Sequence, residues 1–167
     1  ERNELALVYQ PIIRLEDRSI AGFEALLRWN HPRRGPIPPS DFIPVAENSV
    51  IIVQLGLFAM QQAAEDLAAW QKQLGSIAFS VSVNLSSRQL LRRDLVSDVR
   101  SVVQRAGIQP RCFRLELTES LVMDNPEQSA HVLSKLKKLG VGISIDDFGT
   151  GYSSLSYLTR FPFDTIK

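Results

Sequence analysis

Apolar residues follow two different spacings along the chain, and the change in period separates predicted strands from predicted helices. Two strand-like apolar runs, residues 5–13 and 20–29, flank a short polar turn. No crossover helix fits between them, so we predict an antiparallel hairpin. From residue 49 to 73, apolar side chains recur every three or four positions, which predicts a long helix that ends near Gly75.

Beyond Gly75, strand and helix patterns alternate. The predicted strands are 77–85, 113–118, 141–146 and 164–167, and the predicted helices are 89–106, 127–139 and a short one at 153–158. The proline-rich segment 31–39 is predicted to be a loop, and Ser40 is a candidate N-cap for a short turn interrupted by Pro44. This alternation is typical of a mostly parallel sheet with helices outside it.

Each predicted strand has one apolar face and one polar face. In the strand 113–118, for example, three apolar side chains alternate with Arg114, Glu116 and Thr118. Central strands of an open doubly wound sheet are apolar on both faces, whereas a barrel can turn polar side chains toward its active site. We therefore predict an α/β fold of the (β/α)8 TIM-barrel type, with an antiparallel first strand pair and about six of the eight strands present.

Composition narrows the class of protein mainly by exclusion. The chain has 167 residues, 44% of them hydrophobic, and a formal net charge of +1, which is a globular balance. This charge does not favour a nucleic-acid polymer as partner. No apolar run reaches the roughly 18–20 residues of a transmembrane helix, and the lone Cys112 excludes an internal disulfide.

Oxygen-bearing side chains collect on the polar faces and just after the strands. They are Glu24, Asn84, Glu116, Asp146 and Asp147. Converging carboxylates repel one another and are costly to desolvate without a cation, and hard oxygen ligands suit Mg²⁺ or Mn²⁺. Arg28, on the same face as Glu24, is a bidentate donor suited to phosphate. The pattern indicates metal-dependent phosphodiester hydrolysis without identifying the substrate.

Structural interpretations of the same residues stay open at this point. Ion pairs would explain Glu24 with Arg28 and Glu116 with Arg114. Turn capping would explain Asp147, exposure at a strand end would explain Asp146, and a solvated charge would explain Lys167. The two histidines, His31 and His131, lack metal-ligand spacing and are predicted to be structural or surface residues, and Trp29, Trp70 and Phe58 are predicted to pack.

Five ordered motifs resemble the successive signatures of the EAL domain family. They are Tyr9-Gln10-Pro11-Ile12, Glu24-Ala25-Leu26-Leu27-Arg28-Trp29, Asn84-Leu85-Ser86, Glu116-Leu117-Thr118-Glu119-Ser120 and the segment 146–155, which begins Asp146-Asp147-Phe148-Gly149. The resemblance covers essentially the whole chain. It implies a (β/α)8-like barrel with one antiparallel strand, and a bacterial phosphodiesterase that linearises cyclic di-GMP to pGpG with Mg²⁺ or Mn²⁺, as two ions.

The resemblance also implies a role for each matching residue. The residues similar to the family's metal ligands are Glu24, Asn84, Glu116, Asp146 and Asp147, and the catalytic candidates are Lys167, Glu24 and Asp146. Lys167 matches the lysine that helps to position the attacking water. Gln10 and Arg28 resemble substrate contacts, with Arg28 on a phosphate. Glu119 matches the glutamate that anchors the loop after Asp147.

The family pattern sets expectations for the parent protein. Residues 1–167 are expected to be the N-terminal two-thirds of an EAL phosphodiesterase domain, ending before the segments that supply a glutamate general base, a further glutamate and a substrate-binding glutamine. A complete barrel has about 250 residues. Phosphodiesterase activity is therefore expected of the parent, and little of these 167 residues alone.

Further expectations concern partners. The resemblance implies a homodimer through the region after Asp147, sensory or GGDEF domains in the same parent chain, and a cytoplasmic location, with any membrane anchor lying outside this sequence. Two alternatives to the enzyme are a receptor that binds cyclic di-GMP without cleaving it and a protein-interaction module.

Overall fold

Strands and helices alternate in the computed structural model, which describes residues 4–75, 79–149 and 160–167. The strands are β1 (Leu5–Ile13), β2 (Ile20–His31), β3 (Gly35–Ile37), β4 (Ser80–Asn84), β5 (Phe113–Thr118), β6 (Gly142–Asp146) and β7 (Thr165–Ile166). The helices are α1 (Pro39–Glu47), α2 (Ile51–Leu74), α3 (Ser87–Leu90), α4 (Leu95–Ala106), α5 (Glu119–Met123) and α6 (Pro126–Lys138), and a 3₁₀ turn covers Pro110–Cys112.

The seven strands form one sheet in the order β1-β2-β4-β5-β6-β7, and β3 pairs with β2. β1 is antiparallel to β2, whereas β2, β4, β5, β6 and β7 are parallel in succession. This topology confirms the predicted hairpin and the predicted α/β class. Within the described residues the sheet does not close, because β1 and β7 lie at its two ends.

The proline-rich segment differs from its predicted loop. β3 pairs antiparallel with β2 and places Pro36 opposite Asn30. An outer strand tolerates proline because the missing N–H is not needed on its open side. The turn into β3 is closed by His31, whose Nδ1 accepts the backbone N–H groups of Arg33 and Arg34 at 3.1 and 3.2 Å. A surface structural role for His31 fits this contact.

The predicted helix boundaries also change in three places. Helix α1 begins after Pro38, so Ser40 is not its N-cap, and Pro44 lies inside the helix. The predicted helix 89–106 is two helices, α3 and α4. A capping box at Ser86 starts α3 early, and α3 ends at Leu90 before α4 begins at Leu95. Helix α5, which follows β5 directly, was not predicted. The short helix predicted at 153–158 lies outside the described residues.

The apolar strand faces pack against the helices. Val81, Leu115 and Ile143 are fully buried. At the hairpin end of the sheet, the Trp70 ring packs edge-on against Tyr9 at 4.6 Å between centroids, and Tyr9 donates a hydrogen bond to Asp66 on α2. These contacts confirm a packing role for Trp70, and they leave the opposite, polar face of the sheet for the acidic residues.

Gly22 permits the close approach of β2 and β4. A Cβ atom at this position would lie 2.4 Å from the Ser80 carbonyl oxygen, which is backbone and cannot rotate away. We therefore expect Gly22→Ala to lower the free energy of unfolding by about 1–3 kcal/mol, as measured by urea denaturation of the intact domain. The exposed β2 residue Asn30 provides a control, since Asn30→Ala should change stability by less than about 0.5 kcal/mol. Equal stability of Gly22→Ala and the parent would contradict the close approach.

Candidate active site

The site lies on the polar face of the sheet, where β2, β4 and β5 run side by side. Strand pairing sets Glu24 beside Ser82 and Asn84 beside Glu116. The Asn84 Nδ2 donates to Glu24 Oε1 at 3.0 Å. Three of the predicted ligand residues, from three neighbouring strands, therefore lie together on the polar face.

Glu116 is the most buried acidic group of this cluster. Its side chain is 0% exposed, and its Oε1 accepts a hydrogen bond from Lys167 Nζ at 2.5 Å. The same ammonium lies 3.4 Å from Glu24 Oε2. The second oxygen of Glu116, Oε2, is buried and has no hydrogen-bond partner among the described residues. Lys167 thus supplies the positive charge that two converging carboxylates require.

Lys167 is consequently not a solvated surface charge. Burial alone would lower the pKa of its ammonium, but the hydrogen bond and charge of Glu116, followed by the charge of Glu24, raise the pKa above its ordinary value. The ion-pair partner of Glu116 is Lys167 and not Arg114. Arg114 donates instead to Thr165 and Ser144. Glu24 contacts Asn84 and Lys167, while Arg28 donates to the Leu27 carbonyl.

Asp146 and Asp147 lie at the end of the next strand, β6. Asp146 pairs with Thr118 of β5, which lies two residues after Glu116 and therefore on the same face of the strand. Asp147 has a left-handed backbone, with φ of 54°, and its N–H donates to Asp146 Oδ1 at 3.0 Å.

The segment after Asp147 is tied down at two points. The Phe148 N–H donates to the Lys167 carbonyl at 3.2 Å. The Gly149 N–H donates to Glu119 Oε2 at 2.7 Å, and Glu119 is 1% exposed. The hydrogen bond from Gly149 to Glu119 is a contact that loop anchoring by Glu119 requires. The anchoring role itself stays a prediction. Residues 150–159 lie outside the described part of the chain.

The predicted substrate contacts lie on the two strands of the hairpin. Gln10 pairs with Glu24 across β1 and β2 and is exposed. Arg28 is half-buried and lines a cavity of about 320 Å³, together with Asn84, Glu116 and Thr118. The cavity therefore opens beside the acidic cluster.

Sequence reasoning missed the support of the turn that follows Asn84. Gln89 Oε1 accepts both the backbone N–H and the hydroxyl of Ser86, at 3.2 and 2.9 Å. A Cβ atom on Gly56 of α2 would lie 1.9 Å from Gln89 Nε2, so glycine leaves room for the amide. The Ser-x-x-Gln spacing is a readable capping-box signal that would have found this contact.

The donor set suits a hard divalent cation. Glu24, Asn84 and Glu116 offer carboxylate and carboxamide oxygens, and Glu116 Oε2 has no partner among the described residues. Over residues 4–75, 79–149 and 160–167, however, no three His, Cys, Asp or Glu side chains lie close enough together to form a metal site by themselves. Neighbouring strands therefore bring residues of the right chemistry together on the polar face, and in the described part of the chain they do so without a cluster of three acids.

Comparison with known proteins identifies the family. The model of the EAL domain matches residues 1–167. The chain belongs to the EAL domain family. A bifunctional diguanylate cyclase/cyclic di-GMP phosphodiesterase, MucR of Pseudomonas aeruginosa, is 42% identical over 167 residues, which is 100% of this chain and 24% of MucR. An uncharacterized signalling protein of Caulobacter vibrioides is 48% identical over 165 residues, 99% of this chain and 20% of that protein.

Solved EAL structures share the fold. The complex of the MucR phosphodiesterase with c-di-GMP superposes with a TM-score of 0.94 at 42% identity, covering 99% of this chain and 66% of the MucR chain. The EAL enzyme Bd1971, in a form bound to cAMP and cyclic di-GMP, gives 0.92 at 37% identity, over 98% of this chain and 45% of that one. The chain thus spans a fifth to a quarter of those two curated relatives and about two-thirds of the MucR structure. In the described part of the chain, no helix has the length and apolarity to cross a membrane.

Removing the Lys167 ammonium should destabilise the domain. Lys167→Met leaves the buried Glu116 without its charged partner, so we expect a loss of about 1–3 kcal/mol in the free energy of unfolding, measured by urea denaturation in metal-free buffer. Adding Glu116→Gln should restore part of that loss, because the buried charge is then gone. The exposed Lys138 is the matched control, since Lys138→Met should have little effect. Equal losses for the two lysine variants would exclude the buried pair as the cause.

Proposed function

We propose that this chain is part of an EAL domain that hydrolyses cyclic di-GMP to linear pGpG. In this reaction one water adds to a phosphorus atom, and the bond between that phosphorus and the ribose O3′ breaks. The observation that carries the proposal is the contact of the buried Glu116 with Lys167, beside Glu24 and Asn84, on the polar face of the sheet of an EAL family member. The similarity of this chain to the MucR phosphodiesterase supports the same reaction.

The proposed cofactor is Mg²⁺ or Mn²⁺, as two ions. The residues that would hold them are Glu24, Asn84, Glu116, Asp146 and Asp147. Divalent ions bound there would neutralise charge on the phosphodiester and lower the pKa of the attacking water. A calcium and cyclic di-GMP complex of Klebsiella pneumoniae BlrP1, which is 30% identical to this chain, supports the proposal of a divalent cation.

Other residues of the chain are proposed to orient the attacking water and to bind the substrate. The Lys167 ammonium has three donor protons and uses one on Glu116 and one on Glu24, which leaves the third able to orient a water toward phosphorus. Arg28 is proposed to bind the phosphate that is attacked, because its planar fork matches two phosphate oxygens. Gln10, opposite Glu24, is proposed to contact the nucleotide. Asp146 is proposed to act in catalysis as a ligand, alongside Glu24.

Further parts of the proposal concern partners. We propose a homodimer through the region after Asp147, a parent chain with GGDEF or sensory domains, and a cytoplasmic domain. The name of MucR, a bifunctional diguanylate cyclase and phosphodiesterase, supports the combination with a cyclase domain. A receptor that binds cyclic di-GMP without cleavage is the competing function. The presence of all five oxygen ligands and Lys167 favours the enzyme.

The direct test uses the full-length protein with Mn²⁺ and cyclic di-GMP, and pGpG is measured by chromatography. We expect turnover to pGpG, and we expect Glu24→Ala to lower kcat by at least about 100-fold, because a charge-stabilising ligand is lost. The exposed Asp41 is the matched acidic control, and Asp41→Ala should retain full turnover. Tight binding of cyclic di-GMP without formation of pGpG at saturating Mn²⁺ would contradict the enzyme function and favour the receptor function.

Metal binding has a readout that does not depend on turnover. If Mn²⁺ binds the folded domain, its addition should raise the free energy of unfolding, by about 2.7 kcal/mol at a metal concentration 100 times the Kd. Glu116→Gln should remove most of this gain, since it deletes the most buried ligand. The measurement is thermal unfolding with and without Mn²⁺ in the absence of nucleotide. A gain of the same size in Glu116→Gln would exclude Glu116 as a ligand.

A further inference from the structure

The residues that lead to Lys167 pair with β6. Thr165 and Ile166 of β7 pair with Ser144 and Ile145. Its flanking backbone bonds run from Asp164 N–H to the Ile143 carbonyl at 2.8 Å and from Lys167 N–H to the Ile145 carbonyl at 2.9 Å. Side-chain contacts of Asp164 and Thr165 add to this backbone pairing and bear on where Lys167 lies.

Asp164 is the first of these contacts. Its Oδ2 accepts the Ile143 N–H at 2.8 Å, so both main-chain polar groups of Ile143 are bonded to Asp164. Its Oδ1 accepts a hydrogen bond from Lys137 Nζ of α6 at 2.6 Å. Burial alone would raise the pKa of the Asp164 carboxyl, but Lys137, the Ile143 N–H and the charge of Arg114 lower it below its ordinary value. The start of β7 is thus held to β6 and to the outer helix.

Arg114 is the second contact, on the polar face of the sheet. Its Nη1 donates to Thr165 Oγ1 at 2.5 Å and lies 3.4 Å from Ser144 Oγ. Arg114 and Glu116 are two residues apart on β5, and Thr165 and Lys167 are two residues apart at β7. Side chains two apart share a face of a strand. The Arg114–Thr165 and Glu116–Lys167 contacts are therefore two successive rungs that cross β6 at the same offset of 51 residues.

A slip of one residue in β7 would break both rungs. The side-chain period of a strand is two, so the slip would turn Thr165 and Lys167 to the opposite face. Glu116 would then keep its burial and lose its ammonium partner. The Arg114–Thr165 contact and the Asp164 hydrogen bonds oppose this slip, and neither involves a residue of the proposed site.

We propose that Asp164 and Arg114 are positioning residues, which set the register of β7 and so hold the Lys167 ammonium against Glu116. Their effect on hydrolysis rests on the proposed function, whereas their effect on the register of β7 does not. Since Lys167 is assigned to the attacking water and not to nucleotide binding, loss of either contact lowers kcat and leaves KM nearly unchanged.

The first measurement follows register without activity. In the full-length protein, hydrogen–deuterium exchange of peptides covering 142–148 and 160–167 is compared between the parent and two variants, Asp164→Ala and Thr165→Val. Both variants should exchange faster in these peptides alone, because the N–H groups of Ile143 and Lys167 open more often. Asp98→Ala, which removes the 3.1 Å ion pair between Asp98 of α4 and Arg92 before that helix, is the control and should leave both peptides unchanged. Unchanged exchange in both test variants would overturn the proposal.

The second measurement follows catalysis. Asp164→Ala and Thr165→Val should each lower kcat by about 10- to 100-fold with KM within about twofold, as expected for a small displacement of an active-site group. Asp164→Asn, which keeps an acceptor for Ile143 N–H, should recover most of kcat. In a Lys167→Met background the same changes should add nothing, because the group they position is gone.

The outcomes separate this inference from the proposed function. If the parent protein forms no pGpG, the proposed function fails, and the exchange measurement still decides the positioning role. Losses of kcat that add fully to that of Lys167→Met would overturn the positioning role, since the two residues would then act independently of Lys167. Lower stability with unchanged kcat would also overturn it. Because Thr165→Val keeps the branched shape of the side chain, it remains informative if Asp164→Ala folds poorly.

Discussion

The ion pair between Lys167 and the buried Glu116 constrains the whole sheet. The two charged atoms are 2.5 Å apart, yet they come from strands separated by β6. Such a contact requires β5, β6 and β7 to be in register at the same time, and it requires a carboxylate at zero exposure to keep a cation beside it. The hairpin contributes Glu24 to the same ammonium, so the constraint extends to β2.

The burial of Glu116 also explains how the two faces of the sheet are used. The outer face carries the apolar side chains that pack on the helices and account for most of the buried core. The polar face cannot contribute hydrophobic stabilisation in the same way, and Glu116 Oε2 is left without a partner among the described residues. An unsatisfied buried carboxylate oxygen costs free energy that a purely structural strand would avoid. Metal binding by Glu116, as proposed above, would offset that cost.

How far the sequence predicts the structure depends on the range of the interactions involved. The alternation in residues 113–118 correctly turned Glu116 to the polar face, and the short turn after residue 13 correctly gave a hairpin. The partner of Glu116 was not predictable, because Arg114 lies on the same face of the same strand and only the register of β7 brings Lys167 closer. The pairing of β3 and the break between α3 and α4 likewise depend on contacts outside each segment.

The left-handed backbone at Asp147 limits how this position can change over time. Residues other than glycine, asparagine and aspartate adopt this conformation at a steric cost, so the φ of 54° leaves few replacements that keep the turn. Asparagine satisfies the turn as well as aspartate does and retains one oxygen, but it removes the negative charge. A single-nucleotide change that replaces Asp147 with asparagine would therefore leave the fold unchanged. On the proposed assignment of Asp147, it would weaken a metal ligand, so a hydrolase could become a nucleotide sensor while its architecture stayed the same.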